Sequence, residues 1–307
     1  MTPENTAILG TRGSRLALAQ AEECAASLRA AGTAVEIRII RTTSEHHPDT
    51  PLAVIDQRDV FTRQLDEALL SGEIDLAVHS LKDVPTEPPE WVELAAVTRR
   101  RDPSDVLVSD RRHTLEDLPQ GAVVATSSQR RRAQLLYHRP DLELVGIRGN
   151  VDTRVRKMRE GAAHAVVLAR AGLERLGLDA PHTVIPADKM LPAVGQGALA
   201  AATLHDHPLR GLVREALNHG PTERSVLAER AMLRALEGGC RVPVGASSDV
   251  RGNLVRLRGV VISPDGALVY RGEAEGEEPE EVGERLARDL LEQGAAVVLG
   301  EIREVRR

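Results

Sequence analysis

Aromatic residues are almost absent from this chain of 307 residues, which contains one Trp, two Tyr and one Phe. Proteins that bind single-stranded nucleic acid stack the bases on aromatic side chains, so this scarcity argues against that class. The formal net charge of -6 also argues against general binding to a phosphate backbone. We therefore expect no nucleic-acid partner, although local clusters of arginine are compatible with this total charge.

Cysteine is rare, and long apolar runs are absent. The two cysteines, Cys24 and Cys240, are too few for a disulfide framework and lack the spacing of metal ligands. No apolar run approaches the roughly 20 residues that span a bilayer, and the first residues do not have the pattern of a secretion signal. These absences predict a cytoplasmic protein with no membrane partner and no metal.

What is present is an alternation of short apolar strands and amphipathic helices, which predicts an α/β fold with mostly parallel sheets. This alternation is interrupted at TRRRDPSD and again at MLPAVGQGALAAA. We therefore expect the chain to cross from one lobe to the other at these two places, which makes the first lobe discontinuous. The predicted division is residues 1–98 with 197–218 as one α/β lobe, residues 99–196 as a second α/β lobe, and residues 219–307 as a small α+β domain. A Pro-Asp-Gly turn predicts a β-hairpin in the last domain.

Cationic and hydroxyl-bearing residues follow five of the predicted strands. In open α/β sheets, ligands bind beyond the carboxyl ends of the strands. Helix N-termini, capping hydroxyls and arginine all favour anions. The sequence therefore predicts a ligand with several anionic groups, held between the two lobes. The residues are Arg12 and Ser14; Ser80 and Lys82, with the carboxylate Asp83 beside them; Thr126, Ser127, Ser128, Arg130 and Arg131; Arg148 and Arg154; and Arg175.

Most of these residues also have an ordinary structural interpretation. A single Ser or Thr at a helix start is more often a cap than a ligand contact. We assign Arg99, Arg100, Arg101 and Arg132 to the solvated surface, Cys24 to core packing, and His46, His47 and His79 to loop or structural roles. Asp83 leaves two interpretations open. It either forms an ion pair that shapes the turn with Lys82, or it stabilises a positively charged intermediate and moves protons.

Cys240 lies in LEGGCRVPVG, behind two glycines on a predicted loop where a thiol would be reachable. Two functions are compatible with this pattern. One is a two-lobed anion-binding protein without catalysis, which does not account for the thiol. The other is an enzyme that acts on a polyanionic small molecule and has a group attached covalently at Cys240. An adduct on this cysteine would distinguish the two.

Five motifs in order, HSLKDVP, TSSQRRR, RGNVDTR, LPAVGQGA and LEGGCRVPVG, resemble the porphobilinogen deaminase family over essentially the whole chain. The resemblance implies two lobes like those of periplasmic binding proteins and a third domain with the cysteine loop. It implies a dipyrromethane cofactor attached to Cys240. It further implies that four molecules of the substrate porphobilinogen condense head to tail with loss of ammonia, and that hydrolysis releases hydroxymethylbilane. We expect a monomer.

The resemblance also assigns roles to single residues. Asp83 is the implied catalytic aspartate. The residues implied to contact the cofactor or the substrate are Arg12, Ser14, Arg58, Phe61, Ser80, Lys82, Thr126, Ser127, Ser128, Arg130, Arg131, Arg148, Gly149, Arg154, Arg175 and Gln196. Residues 42–60 depart from the family pattern, because AVIDQRDVF lacks the expected glycines and TTSEHH lacks an Arg-Gly-Asp pattern. Contacts from this loop are therefore less well defined by the resemblance than the strand ends are.

Overall fold

The computed structural model of the protein describes residues 6–41, 62–236 and 243–304. Within these ranges the chain is mixed α/β, as predicted, with two five-stranded sheets and one three-stranded sheet. Arg58, Phe61, Cys240, His46 and His47 lie outside the described residues, so the expectations for them stay predictions.

The helices and strands are numbered in chain order. Those up to residue 184 are β1 (Thr6–Thr11), α1 (Arg15–Ala30), β2 (Ala34–Ile39), α2 (Arg63–Leu70), β3 (Leu76–Ser80), β4 (Val92–Val97), β5 (Asp105–Val108), β6 (Val123–Ala125), α3 (Gln129–His138), β7 (Glu143–Val145), α4 (Val151–Lys157), β8 (Ala165–Ala169), α5 (Arg170–Leu176) and β9 (His182–Val184). Those that follow are β10 (Leu199–Leu204), α6 (Arg210–Leu217), α7 (Gly220–Ala235), β11 (Val244–Arg251), β12 (Leu254–Ile262), β13 (Val269–Gly276), α8 (Pro279–Leu290) and α9 (Ala296–Glu304).

The chain forms two compact units, Met1–Arg101 with Ala198–Glu223 and Asp102–Gly197 with Arg224–Arg307. The first unit has one sheet, in the order β2-β1-β3-β10-β4. Strands β2, β1 and β3 are parallel, and β10 runs antiparallel to both of its neighbours. Helix α1 packs on this sheet through the side chains of Cys24 and Leu28, against Leu9 and Leu76. Cys24 is 1% exposed, so the prediction that it packs in the core is confirmed.

The second unit repeats this arrangement in the order β7-β6-β8-β5-β9. Here β7, β6 and β8 are parallel, and β5 is antiparallel to β8 and β9. Both faces of the sheet are covered, because Val106 and Val108 point into one core and Leu107 into another. A strand buried on both faces needs a continuous apolar run, and DVLV in β5 and AVVLA in β8 provide one.

The C-terminal part of the second unit is a three-stranded antiparallel sheet with helices packed on it. The hairpin of β12 and β13 turns at Gly266, which has a φ of +78° that suits glycine. Pro279 begins α8, where its missing N–H leaves no hydrogen bond unmade. The apolar face of α8, with Val282 and Leu286, packs into the same core as Val255 and Leu257 of β12.

This C-terminal sheet packs directly on the second lobe. The Ala246 N–H donates to the Pro192 carbonyl at 2.9 Å, and Ala133 and Leu191 of the lobe form a core with Val260 of β12. The second lobe and the C-terminal part therefore form one unit. The predicted division into three domains, with its boundaries, stays a proposal.

Candidate active site

In the first unit, two polar segments lie at the same edge of the sheet. Arg12 and Ser14 follow strand β1. Ser80 ends strand β3, and Lys82 and Asp83 lie in the single 3-10 turn that follows it. Because β1 and β3 are neighbouring parallel strands, their carboxyl ends meet at one edge. The structure thus brings together five of the residues that the sequence predicted for the site.

The two serines at this edge already have structural partners. The Ser14 Oγ caps helix α1 by accepting a hydrogen bond from the Ala17 N–H at 3.2 Å. The Ser80 Oγ accepts from the Gln20 Nε2 at 2.7 Å, which fastens the end of β3 to α1. The capping role expected of an isolated serine is confirmed for Ser14. Both hydroxyls fix the positions of the charged residues beside them.

His79 lies directly before this polar turn and is buried in β3. Burial lowers the pKa of His79 to about 4, and the positive charge of Arg12 adds to the effect. The imidazole is therefore neutral at pH 7. The cationic character of this edge comes from Arg12 and Lys82 and not from His79.

Asp83 is half-buried at the end of the 3-10 turn, next to half-buried Lys82. The turn is closed by a hydrogen bond from the Val84 N–H to the Leu81 carbonyl at 3.1 Å. Buried Leu81 and Val84 anchor the turn on either side. The turn therefore holds one carboxylate at the cationic edge of the sheet without removing it from solvent.

The second lobe has a matching edge beyond β6 and β7. The Thr126 N–H donates to the Val145 carbonyl at 2.8 Å. The Ser127 Oγ donates to the Ile147 carbonyl at 2.6 Å and accepts from the Ile147 N–H at 3.0 Å. Ser128 caps α3, accepting from a backbone N–H of the next turn at 3.4 Å. These bonds fix the three hydroxyl-bearing residues where β6 leads into the helix.

A pocket of about 610 Å³ opens at this edge of the second lobe. Three of its lining residues are cations, and none of the described lining residues is acidic. Four lining residues belong to the predicted site. The full lining consists of Thr126, Ser127, Ser128, Gln129, Arg132, Gly146, Arg148 and Lys157. Gln129 at the N-terminus of α3 also lines the pocket, and helix N-termini favour anions, so the pocket is suited to an anionic ligand.

The turn that holds Arg148 depends on Gly149. Its φ is +110°, and a Cβ at this position would lie 2.7 Å from the Thr153 Cγ2, so only glycine fits. The Arg154 Nε donates to the Gly149 carbonyl at 2.7 Å, and the Lys157 Nζ donates to the Arg148 carbonyl at 3.2 Å. Arg154, which was predicted to contact the ligand, thus also braces the turn beside the pocket.

Arg130 and Arg131 are both buried, and both face Asp105 of strand β5. The Arg130 Nη1 lies 2.7 Å from Asp105 Oδ2, and the Arg131 Nη2 lies 2.7 Å from Oδ1. Burial alone would raise the pKa of Asp105, but the charges and hydrogen bonds of the two guanidinium groups outweigh it and hold this pKa well below its usual range. The residues were predicted to bind a ligand's carboxylates; the structure shows them binding a carboxylate of the protein itself.

Gln196 joins the same buried group. Its Nε2 donates to Asp105 Oδ1 at 2.9 Å and to the Pro103 carbonyl at 2.6 Å. The Arg175 Nη2 donates to the Gly197 carbonyl at 3.0 Å. Gln196 and Arg175 therefore both hold the segment that leads out of the second lobe, which is where the sequence predicted a crossover.

Sequence reasoning missed four lining residues of the pocket: Gln129, Arg132, Gly146 and Lys157. Arg132 had been assigned to the solvated surface; in the structure it is half-buried and lines the pocket. The prediction considered only the first residues after each strand. Arg132 lies one helical turn beyond Ser128, and Lys157 ends the helix that follows the Arg148 turn. The sequence signal that could have identified Arg132 and Lys157 as pocket residues is a cation one or two turns into a helix that follows one of these strands.

Across the described ranges, no helix is both long and apolar enough to cross a bilayer. In the same ranges no three His, Cys, Asp or Glu side chains are grouped in a way that could hold a metal ion.

Strand ends rich in arginine and hydroxyl groups, carried on two α/β lobes, are typical of proteins that bind anionic small molecules. Comparison with known families identifies the particular one. The family model described as "Porphobilinogen deaminase, dipyromethane cofactor binding domain" matches residues 7–209, and "Porphobilinogen deaminase, C-terminal domain" matches residues 224–292. The chain belongs to the porphobilinogen deaminase family, whose members are transferases.

Two relatives named porphobilinogen deaminase support this membership. The chain is 69% identical to porphobilinogen deaminase of Rubrobacter xylanophilus over 299 residues, which cover 97% of this chain and 98% of the relative. It is 48% identical to porphobilinogen deaminase of Desulforudis audaxviator over 302 residues, covering 96% and 97%. Among solved structures, the methionine-binding protein MetQ matches with a TM-score of 0.44 and 14% identity, covering 69% of this chain and 89% of that one.

Proposed function

We propose that this protein is a hydroxymethylbilane synthase, which condenses four porphobilinogen molecules head to tail on a covalently bound dipyrromethane primer and then releases linear hydroxymethylbilane by hydrolysis. Family membership supports this proposal, since two relatives of nearly equal length are porphobilinogen deaminases. Each porphobilinogen has an acetate and a propionate arm. Each condensation therefore adds two carboxylates to the bound chain.

The pocket of the second lobe is the observation that carries the proposal. A growing polycarboxylate needs cations and N–H donors in a space larger than one carboxylate, and the pocket of about 610 Å³ has three cations in its lining and no acidic residue among those described. The first unit offers Arg12 and Lys82 beside Asp83 at its own strand ends. Both edges thus have the donors that carboxylate arms require.

The dipyrromethane primer fits the same donor set. Residues 7–209 match the cofactor-binding domain of the family. We propose that the Cys240 thiol forms the thioether to the primer and that the glycines before it let the backbone approach closely. When bound, the primer supplies a fixed pyrrole with a free α-carbon. The residues proposed to contact the primer or the substrate are Arg12, Ser14, Arg58, Phe61, Ser80, Lys82, Thr126, Ser127, Ser128, Arg148, Gly149, Arg154, Arg175 and Gln196, with Arg130 and Arg131 adding positive potential from their buried position.

Asp83 is the proposed catalytic residue. In each cycle the C–N bond of the porphobilinogen aminomethyl group breaks and ammonia leaves, so that this carbon becomes electron-poor. A C–C bond then forms between it and a pyrrole α-carbon, which afterwards loses its proton. A half-buried carboxylate can stabilise the positive charge of the substrate and accept this proton. The anchored turn, with buried Leu81 and Val84 on either side, keeps the carboxylate in place.

The alternative, a two-lobed protein that binds an anion without catalysis, is not favoured. It offers no role for the cysteine loop, and the match to the family covers both the cofactor-binding domain and the C-terminal domain. The absence of a nucleic-acid partner, a monomeric state and a cytoplasmic location are further parts of the proposal that follow from the sequence.

The direct test is turnover by the purified protein. Incubation with porphobilinogen should consume four substrate molecules and release four ammonia molecules for each linear tetrapyrrole formed. Binding of porphobilinogen without ammonia release would contradict the proposal and would support the binding-protein alternative instead.

A further inference from the structure

Two cations of the second-lobe pocket, Arg132 and Lys157, were absent from the predicted site. They line the pocket together with Arg148, which was predicted. Arg132 extends from helix α3 and Lys157 from the end of α4. The pocket therefore has positive side chains from two helices and one turn.

Backbone contacts hold both cations in position. The Arg132 Nη1 donates to the Leu144 carbonyl of β7 at 2.9 Å, and the Lys157 Nζ donates to the Arg148 carbonyl at 3.2 Å. A guanidinium group has five N–H donors and an ammonium group has three, so one carbonyl contact leaves donors for a ligand. Both side chains are half-buried, which limits the entropy that they lose when a ligand binds.

The lining has more positive charge than one carboxylate would neutralise. Arg132, Arg148 and Lys157 contribute three positive charges, and the hydroxyl groups of Thr126 and Ser128 and the start of α3 add polar groups suited to an anion. A volume of about 610 Å³ is in the range of sites for whole small molecules and not for a single ionic group. The pocket is thus built for a ligand with at least two carboxylates.

We propose that Arg132 and Lys157 form a second carboxylate-binding pair, which takes up the acidic arms of newly added pyrrole units as the chain lengthens. This inference rests on the proposed function and extends it to two residues outside the predicted site. Arg148 would bind the carboxylates of one unit, and Arg132 with Lys157 would bind those of another. Losing either residue should impair later additions more than the first.

The test measures steady-state kinetics and the distribution of protein species during turnover. Arg132→Gln and Lys157→Gln should each lower kcat/KM for porphobilinogen about tenfold, the effect of losing one charge-assisted hydrogen bond. Intact masses of the protein, quenched with limiting substrate, should shift toward species with few added units. Lys157→Arg should restore most of the activity, because it keeps the charge; no rescue would assign Lys157 to bracing the turn and overturn its part of the inference.

Arg156→Gln is the matched control. Arg156 lies on the same helix as Lys157, is exposed, and pairs with Glu160 at 2.7 Å. If Arg132→Gln and Lys157→Gln behaved like Arg156→Gln, the inference would be overturned, since only the general charge would matter. Arg148→Gln separates this failure from that of the proposed function. If it impairs elongation while the other two do not, only the inference fails; if none of the three has an effect and wild type turns over, the pocket is not part of the site.

Discussion

Among single residues, Asp83 is the most important for the proposed reaction. It is the carboxylate that the structure places in the polar turn after β3, beside Lys82 and at the same sheet edge as Arg12. The sequence left open whether it shapes the turn or takes part in the reaction. Because the turn is already closed by a backbone hydrogen bond between Val84 and Leu81, the fold does not require the carboxylate.

We therefore expect Asp83→Asn to fold normally and to lose most turnover, by about 100-fold to 10,000-fold, the range that proton transfer by a positioned side chain contributes. Steady-state assays, circular dichroism and the intact mass of the variant check this. Asp206→Asn, which changes an exposed carboxylate in the same unit, should stay near wild-type activity. Turnover of Asp83→Asn within a few-fold of wild type would contradict the assignment.

The residues that line the second-lobe pocket were predictable where they directly follow a strand. Thr126, Ser127, Ser128 and Arg148 belong to the predicted set and line the pocket, because strand ends can be located from apolar runs. Arg132 and Lys157 were missed, since their contribution depends on how helices fold back over the edge. The sequence likewise could not show that Asp105 neutralises part of the charge of Arg130 and Arg131, because these residues are 25 or more positions apart in sequence and meet only in the folded lobe.

At the scale of structural elements, Asp105 connects strand β5, helix α3 and the segment containing Gln196. Asp105→Asn removes the negative charge between two buried guanidinium groups. Removing one partner of a buried ion pair costs about 3–5 kcal/mol of unfolding free energy. Urea denaturation should show a loss of this size, whereas Glu160→Gln, which breaks an exposed ion pair with Arg156 of α4, should cost about 0.5 kcal/mol or less. Equal, small losses would show that the cluster is not important for stability.

The lowered pKa of Asp105 also determines how the contribution of this residue to stability changes as the pH falls. A carboxyl whose pKa is lower in the folded state contributes stability above its unfolded pKa of about 4, and this contribution is lost as the pH falls toward the folded pKa. Asp105→Asn should therefore differ most from wild type above pH 4, and the difference should shrink below it.

Asp66 of α2 and His79 of β3 line one small cavity and have opposite pKa shifts. Burial raises the pKa of Asp66 to about 6 and lowers that of His79 to about 4. Between these pH values His79 makes folding less favourable as the pH falls, because the unfolded state takes up its proton first. Asp66 has the opposite effect, because the folded state takes up its proton first. The two contributions oppose each other.

Asp66→Asn should consequently make stability fall more steeply than in wild type between pH 6 and pH 4, by at most about 1.4 kcal/mol per pH unit for one proton. His79→Gln should make the same fall shallower. Urea denaturation of both variants and wild type at pH 4, 5, 6 and 7 checks the signs. If the free energy of unfolding changed with pH in the same way in all three proteins, Asp66 and His79 would not have opposite effects on stability.

Strands buried on both faces and helices with clear caps have a strong local signal in the sequence. Strand β5 with its run DVLV and helix α1 with Ser14 are examples. Strands β4 and β11 have a weaker local signal, because VELAAV and VGASSDVR mix small, polar and apolar residues and gain their strand character from neighbours distant in sequence. β4 pairs with β10, more than 100 residues away, and such pairing leaves little local signal.

At the scale of the whole molecule, the two α/β sheets share one strand order, and each has an antiparallel strand in the fourth position, β10 in one and β5 in the other. The chain leaves the first unit after β4 and returns to it with β10, so the first unit is discontinuous. The crossovers were visible in the sequence as breaks in the alternation of strands and helices. The packing of the C-terminal sheet on the second lobe was not, since it depends on the surface of α3 and on the segment near Leu191.

The proposed attachment of a dipyrromethane primer through Cys240 can be measured by the intact mass of the purified protein with peptide mapping around that residue. We expect an added mass of two linked pyrrole units on that cysteine. If the thiol is unmodified, incubation with porphobilinogen should add the same mass to wild type and not to Cys240→Ser. A folded wild-type protein that stays unmodified after this incubation would rule out a primer bound at Cys240.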